Sequence, residues 1–221
     1  MADRAGHQTG RLTLRLILTA LVLALACAAD AASVTVRVRT PAGTTVEDAA
    51  VVLDPASGVP PKSRRSATIE QRGRDFVPYL SIVQKGTAID FPNRDPFKHH
   101  VYSFSPAKVF EIKLYAGKPA NPVVFDQTGV VALGCNIHDW MEAYVLVVDT
   151  PWFAKTGADG VVRIDRVPAG AYRLRLWHPR QKAAVADIGI ELRGATRHLD
   201  LVLDVAPRII VAKPPLDAGG Y

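Results

Sequence analysis

The chain has 221 residues, of which 48% are hydrophobic and 22% are charged. That composition excludes an intrinsically disordered protein, and the length allows one or two compact domains. The formal net charge of +6 favours encounters with acidic proteins or anionic membrane surfaces, but it specifies no partner. Because the basic residues do not cluster with aromatic ones in a recognisable module, we expect no binding to nucleic acid.

Residues 1–32 have the order of a secretory signal peptide: arginines, an apolar run from Leu16 to Ala26, and small residues through Ala32. The run is shorter than a membrane span, so we expect cleavage, a periplasmic mature protein and no remaining span. An uncleaved anchor and lipidation at Cys27 stay open as alternatives. Cleavage would leave Cys135 as the only cysteine, which excludes an internal disulfide. A lone thiol in an oxidising compartment is a liability unless it is buried or bound to metal.

From residue 33 onward, apolar and polar residues alternate with a period of two, which predicts an all-β protein. The first two predicted strands are Val34 to Val38 and Ala49 to Leu53. Residues 57–65, SGVPPKSRR, are rich in proline and charge and are a predicted linker or exposed loop.

Strand patterns broken by Gly, Pro or Asn fill the next stretch of about ninety residues, a suitable size for one small β-sandwich. They are ATIEQRGRDFVPYLSIVQKGTAIDFPN, HHVYSF, NPVVFDQTGVVALGC and EAYVLVVD. After Thr150, turn signals at Asp159-Gly160 and at Pro168-Ala169-Gly170 each precede an alternating strand. Two more strands are predicted at Ile188 to Leu192 and at Leu199 to Val205.

The two segments that flank this stretch, VTVRVRTPAGTTVEDAAVVL and TGADGVVRIDRVPAGAYRLRLWHP, look like halves of one module. Together they resemble the carboxypeptidase regulatory-like domain, a transthyretin-like β-sandwich. The resemblance implies that residues 33–60 and 150–206 form this smaller sandwich, with residues 61–149 inserted at one of its loops. Residues 207–221 are a predicted flexible tail.

The loop LGCNIHDWMEAY places Cys135, His138 and Met141 three residues apart. Thiolate and imidazole ligands suit copper and zinc, whereas a thioether suits copper far better than zinc. A blue-copper site needs a second histidine, and FPNRDPFKHHVYSF supplies His99 and His100 at the start of a predicted strand. Neighbouring residues of a strand point to opposite faces, so only one of the two can face a metal.

Residues 66–149 resemble the cupredoxin family, the blue copper or plastocyanin-like proteins, which are Greek-key β-sandwiches. The resemblance is carried by FPNRDPFKH before a strand and by CNIHDWM at the C-terminal ligand loop, whose spacing matches amicyanin-like members. It favours His99 over His100 and implies one type 1 copper ion. The implied ligands are His99, Cys135, His138 and Met141. Proteins with this layout are often labelled methylamine-utilisation proteins.

Two positions depart from the family pattern. His100 stands where the family commonly carries Asn, and Asn93 is the expected source of a compensating contact between loops. Ile137 stands where many relatives carry Pro, and its amide N–H can reach the Cys135 sulfur. Such a hydrogen bond would stabilise Cu(I), so we expect it to raise the reduction potential.

The expected function is that of a periplasmic, monomeric one-electron carrier, not an enzyme, with a transient redox partner such as a dehydrogenase or a cytochrome. Pro96, Phe97, Ile137 and Trp140 would surround His138 as a small apolar docking patch. The alternative is a copper storage or delivery protein that has no redox role. A copper oxidase would need H-x-H pairs and a binuclear centre a second loop cysteine, and the sequence has neither.

One expectation concerns the flanking sandwich. Five arginines alternate with apolar residues in its predicted strands, and we expect them to share one exposed face. They are Arg37, Arg39, Arg163, Arg173 and Arg175.

Overall fold

The computed structural model describes residues 31–62, 65–209 and 211–213. The predicted signal peptide, except for its last two residues, and the end of the predicted tail lie outside this range. The described residues form no helix, which confirms the all-β prediction, and so none of them belongs to a helix able to cross a membrane.

The strands of the described chain, in order, are β1 (Ala32–Arg39), β2 (Ala50–Pro55), β3 (Ser66–Thr68), β4 (Glu70–Gln71), β5 (Phe76–Val77), β6 (Leu80–Gln84), β7 (Thr87–Asp90), β8 (His99–Ser105), β9 (Lys108–Tyr115), β10 (Val123–Phe125), β11 (Gly129–Gly134), β12 (Glu142–Val148), β13 (Phe153–Lys155), β14 (Val161–Val167), β15 (Gly170–Trp177), β16 (Ile188–Leu192) and β17 (Thr196–Val202).

The first two and the last five strands form one sandwich of two sheets, with strand orders β14-β1-β17 and β13-β2-β15-β16. Strand β1 illustrates why these residues form strands: Ala32, Val34, Val36 and Val38 are buried, while the residues between them face outward. Strand β1 pairs antiparallel with β14 and parallel with β17. We call this unit the flanking sandwich.

Strands β3 to β12 form a second sandwich, which we call the central sandwich. One sheet has five strands in the order β6-β12-β11-β8-β9, a second has three in the order β10-β7-β3, and β4 and β5 form a small sheet of their own. Its core includes Phe91, Phe125, Val131 and Val145, and it extends to Cys135 and Met141 at one end. The sulfur-bearing loop is therefore continuous with the core of this sandwich.

A third apolar cluster joins the two sandwiches. Val52 of β2 packs there with Leu80, Leu146 and Val148 of the central sandwich, and all four side chains are buried. The ring of Trp177 in β15 meets the edge of Tyr144 in β12, with centroids 6.4 Å apart. Because this contact is apolar and buried, it fixes the two units against each other.

The prediction that five arginines share one face is wrong. Arg37, Arg39 and Arg163 belong to the sheet β14-β1-β17, whereas Arg173 and Arg175 belong to the opposite sheet. Alternation along each strand cannot reveal on which sheet a strand lies. Four of the five also form ion pairs, namely Arg37–Asp200, Arg163–Asp165, Arg173–Asp54 and Arg175–Asp54.

A buried histidine follows β15. His178 is fully buried, and its Nδ1 accepts a hydrogen bond from the amide of Arg180 at 2.9 Å. An imidazole that accepts at Nδ1 is neutral and carries its proton on Nε2. Burial, and then the positive charge of Arg180, lower the pKa of His178 to about 4.

This pKa predicts that acid destabilises the fold. In the unfolded chain His178 has its ordinary pKa of 6.5, so as the pH falls it binds a proton before the folded protein does. The free energy of unfolding is therefore highest above pH 6.5 and decreases as the pH falls to about 4. We expect this residue to account for a loss of up to about 3 kcal/mol in the free energy of unfolding. Urea unfolding at pH 7 and pH 4.5 should show a smaller loss for H178Q than for the wild type, and a wild-type loss for H198Q at an exposed site. An equal loss in all three proteins would contradict the prediction.

Candidate metal centre

The loop that joins β11 to β12 carries three of the predicted ligands. Gly134 pairs with Glu142 across the two strands, so the loop of residues 135–141 is closed at its base by the sheet. Within the loop, the amide of Met141 donates to the carbonyl of His138 at 2.9 Å. The loop is thereby folded back on itself, and Cys135 and Met141 both enter the core.

The fourth predicted ligand comes from the neighbouring strand. Strand β8 lies beside β11, with Tyr102 opposite Gly134, and His99 is the first residue of β8. A side chain on Gly134 would collide with the ring of Tyr102, whose nearest atoms lie 2.8 Å from the position of a Cβ. Glycine therefore lets β8 approach β11 closely, which places His99 beside the start of the ligand loop.

The side chains of His99, Cys135 and His138 converge on one point. The Cys135 Sγ lies 3.9 Å from His99 Nδ1 and 3.8 Å from His138 Nδ1, and the three donor atoms all lie within 4.8 Å of one another. His99 and Cys135 are buried and His138 is half-buried. Bonds of about 2.0 Å to nitrogen and 2.3 Å to sulfur that meet at about 120° would separate N and S by about 3.7 Å. The three groups thus fit a single shared ion.

The remaining predicted ligand, Met141, is the last residue of the ligand loop. It is 1% exposed and packs in the same apolar cluster as Cys135. A sulfur ligand buried among apolar side chains is screened from water and from competing hard ligands.

The second nitrogen of His99 is held by a carboxylate. His99 Nε2 lies 2.7 Å from Asp95 Oδ2. The Asp95 carboxylate also accepts hydrogen bonds from the backbone amides of Gly73 at 2.7 Å and Arg74 at 2.9 Å. Burial would raise the pKa of Asp95, but the Arg74 amide, the His99 side chain and the Gly73 amide together hold it below its usual value. An ionised Asp95 keeps a proton on His99 Nε2, so Nδ1, which faces Cys135, is the nitrogen placed to bind a metal. Burial would lower the pKa of His99, but its hydrogen bonds to Cys135 and Asp95 raise it, so a metal would displace a proton from Nδ1.

Hydrogen bonds also reach the sulfur. Burial alone would raise the pKa of Cys135, but the side chain of His99 and then the amides of His100 and Ile137 lower it below the ordinary thiol value. The thiolate, the form that binds metals, is therefore favoured. The amide of Ile137 makes the contact with sulfur that the sequence predicts.

His138 occupies the outer edge of the group. Its ring lies 5.1 Å from that of Trp140 and 5.9 Å from that of Phe97, measured between centroids. Burial, followed by the charges of His99 and Arg74, lowers the pKa of His138, so it is neutral and able to bind a metal at neutral pH. Phe97, Ile137 and Trp140 are half-buried and Pro96 is exposed, so apolar side chains border this edge.

The adjacent histidine points elsewhere. His100 is buried with its Nε2 2.9 Å from Glu111 Oε1 on β9, and it is not part of the converging group. Asn93 makes the contacts between loops: its Nδ2 donates to the carbonyls of Phe97 at 2.7 Å and Tyr115 at 3.0 Å. Its Oδ1 accepts the amide of Asp95 at 2.9 Å, so Asn93 also fixes the partner of His99.

Sequence reasoning missed Asp95 and the turn that binds it. Asp95 precedes His99 by four residues in FPNRDPFKH, and this spacing within a short loop is a usable signal for a carboxylate that orients a ligand. The contribution of Gly73 and Arg74 has no such signal, because it depends on a contact across about twenty residues of chain.

No family model matches the chain, and no curated protein is significantly similar to it. Among solved structures, it is similar to part of a copper-containing nitrite reductase from Thermus scotoductus SA-01, with 20% identity, a TM-score of 0.35, and 37% of this chain and 22% of that chain covered. It is also similar to a purple cupredoxin from Nitrosopumilus maritimus, with 22% identity, a TM-score of 0.34, and 37% and 99% covered. For a reduced tryptophan-to-tyrosine mutant of amicyanin, the values are 14% identity, a TM-score of 0.35, and 44% and 98% covered. These structural neighbours are cupredoxins. The carboxypeptidase regulatory-like character of the flanking sandwich stays a prediction.

The contact between Asp95 and His99 predicts a specific loss of metal affinity. Asp95→Ala removes the acceptor that orients His99, so we expect copper to bind about 10- to 100-fold more weakly. Competition with a chelator measures this affinity. Glu111→Ala is the matched control, because it removes a carboxylate from His100, which lies outside the group. If the two variants lost affinity equally, the assigned role of Asp95 would be incorrect.

Proposed function

We propose that this protein is a periplasmic type 1 copper protein that carries single electrons between redox proteins. The observation that carries this proposal is the convergence of His99 Nδ1, Cys135 Sγ and His138 Nδ1 within 4.8 Å of one another in a largely buried setting. One thiolate with two imidazoles is the equatorial ligand set of a blue-copper centre.

The donor chemistry favours copper over zinc. Met141, buried in the same apolar cluster as Cys135, would be the fourth and weaker ligand, and a thioether is a soft donor that suits copper. Copper in such a site supplies a one-electron Cu(II)/Cu(I) couple. The protein's own part is to hold the donors in place before the ion arrives and to exclude water from the sulfur.

The supports around the donors favour electron transfer over storage or delivery. His99 is fixed by Asp95, and Cys135 by two backbone amides, so neither side chain can turn away without losing buried hydrogen bonds. A delivery protein has to release its metal by ligand exchange, and hydrogen bonds that hold the ligands in place oppose this exchange. A carrier gains from it, because donors that stay in place reduce the rearrangement that accompanies each electron.

His138 is the proposed exit and entry point for the electron. It is half-buried, and Phe97 and Trp140 flank its ring. An apolar border of this kind suits brief docking of a dehydrogenase or a cytochrome, since transient redox interfaces are small. The protein would act as a monomer and would catalyse no reaction of its own.

Spectroscopy of the copper-loaded protein tests the proposal. A carrier should give an intense visible thiolate-to-copper absorption band, a type 1 EPR signal and a reversible Cu(II)/Cu(I) couple. Cys135→Ser should abolish the band, whereas His100→Asn should keep it, because the His100 side chain lies outside the group. Tight Cu(I) binding without a stable Cu(II) form would support delivery instead, and a band that survives in Cys135→Ser would refute the site.

The amide of Ile137 predicts a shift in reduction potential. Ile137→Pro removes one hydrogen bond to the Cys135 sulfur, worth about 1 kcal/mol, or about 40 mV for one electron. Because that bond stabilises Cu(I), the wild-type potential should be the higher one. Ile137→Ala keeps the amide and serves as the control in the redox titration. A wild-type potential equal to or below that of Ile137→Pro rejects the idea.

A further inference from the structure

The chain does not end at the flanking sandwich. After β17, the amide of Leu203 donates to the carbonyl of Arg39, and Ala206 exchanges hydrogen bonds with Arg180, which anchors this stretch to the flanking sandwich. The chain then crosses to the central sandwich. We call residues 205–209 and 211–213 the C-terminal strap.

The C-terminal strap contacts the central sandwich at two points. The guanidinium of Arg208 lies over the ring of Tyr79, 4.3 Å from its centroid. The Lys213 Nζ donates to the carbonyl of Gly73 at 2.7 Å and forms an ion pair with Asp75. This part of the predicted flexible tail therefore has specific partners.

Between these two contacts, the described part of the strap leaves its apolar side chains exposed. It borders a cleft of about 240 Å³ whose other wall includes Asp75, Trp140 and Glu142. On the strap, Ile209 is 86% exposed and Val211 is 51% exposed. With little apolar burial to hold it, the strap depends on the contacts of Arg208 and Lys213.

The turn that Lys213 contacts is the same turn that supports the metal centre. Residues 72–75 form a tight turn in which Gly73 and Arg74 both have positive φ, 62° and 58°, a conformation that arginine rarely adopts. The amides of Gly73 and Arg74 hold Asp95, the partner of His99. The carbonyl of Arg74 accepts the indole N–H of Trp140 at 3.1 Å, and the Arg74 guanidinium lies over the Trp140 ring.

We propose that the C-terminal strap is a positioning device for the metal centre: Arg208 anchors the strap on Tyr79, and Lys213 holds the turn of residues 72–75, which orients His99 and Trp140. This inference rests on the proposed function of the site. It gives the flanking sandwich a role at a centre whose donors all belong to the central sandwich. Lys213 and Arg208 are positioning residues, since neither touches a donor atom directly.

The first test uses the metal-free protein and so does not depend on copper. We expect Lys213→Gln, and more strongly Lys213→Gln with Arg208→Ala, to speed hydrogen exchange at the Gly73 and Arg74 amides by about two- to fivefold. NMR should also show a shift of the His99 Nε2–H and Trp140 indole resonances. Lys182→Gln is the matched control, because it removes a Lys–Asp pair of 3.0 Å that lies within the flanking sandwich. The double variant Asp75→Lys, Lys213→Asp should restore most of the protection by exchanging the two charges.

The second test uses the copper-loaded protein. Lys213→Gln with Arg208→Ala should shift the visible band and the reduction potential, while Lys182→Gln should leave both at the wild-type values. The inference is overturned if the strap variants show the same hydrogen-exchange rates as Lys182→Gln and the same positions of the His99 and Trp140 resonances. Faster exchange with an unchanged band and potential also overturns it. A wild-type protein that binds no copper would refute the proposed function, whereas the metal-free measurements would still decide whether the strap orients His99.

Discussion

The approach of one buried sulfur to two imidazole nitrogens is the constraint on which the rest of this structure depends. Polar atoms brought together away from water lose hydrogen bonds to solvent, so the surrounding chain has to hold them in place. Cys135 receives two amides, His99 is bound by Asp95, and His138 lies against Trp140. The supports come both from the ligand loop, through the Ile137 amide and Trp140, and from the segment that carries Asp95 and His100, so the donors keep their arrangement without relying on an ion to create it.

The two sandwiches contact each other in two places that involve the elements around the donors. Strand β12 begins at the end of the ligand loop, and its later residues Leu146 and Val148 pack against β2 of the flanking sandwich. At the other side, Lys213 contacts the turn that holds Asp95. The buried apolar contact is the stronger of the two, so it fixes how the sandwiches are arranged. The surface ion pair of Lys213 is weaker, and salt can weaken it further.

The sequence predicts the all-β class and the ligand loop well, because alternation is a local signal and a thiol, an imidazole and a thioether in one short loop are chemically distinctive. Several features are not local and were missed. Strand β9 is an edge strand whose exposed side chains are partly apolar, as at Val109 and Leu114, and partly charged. Strand β17 begins at Thr196, three residues before its predicted start, with exposed polar residues that pair with β1. The supports at Asp95 and the sheet on which each arginine lies depend on pairing between distant segments. The domain limits and the family of the flanking sandwich stay predictions.

X-ray absorption at the copper edge tests the central claim most directly, because it reports which atoms surround the ion. The account predicts that copper bound to the wild-type protein has one short bond to sulfur and two bonds to imidazole nitrogen. The short sulfur bond should disappear in Cys135→Ser. A spectrum of the wild-type protein with only nitrogen and oxygen neighbours would contradict the account.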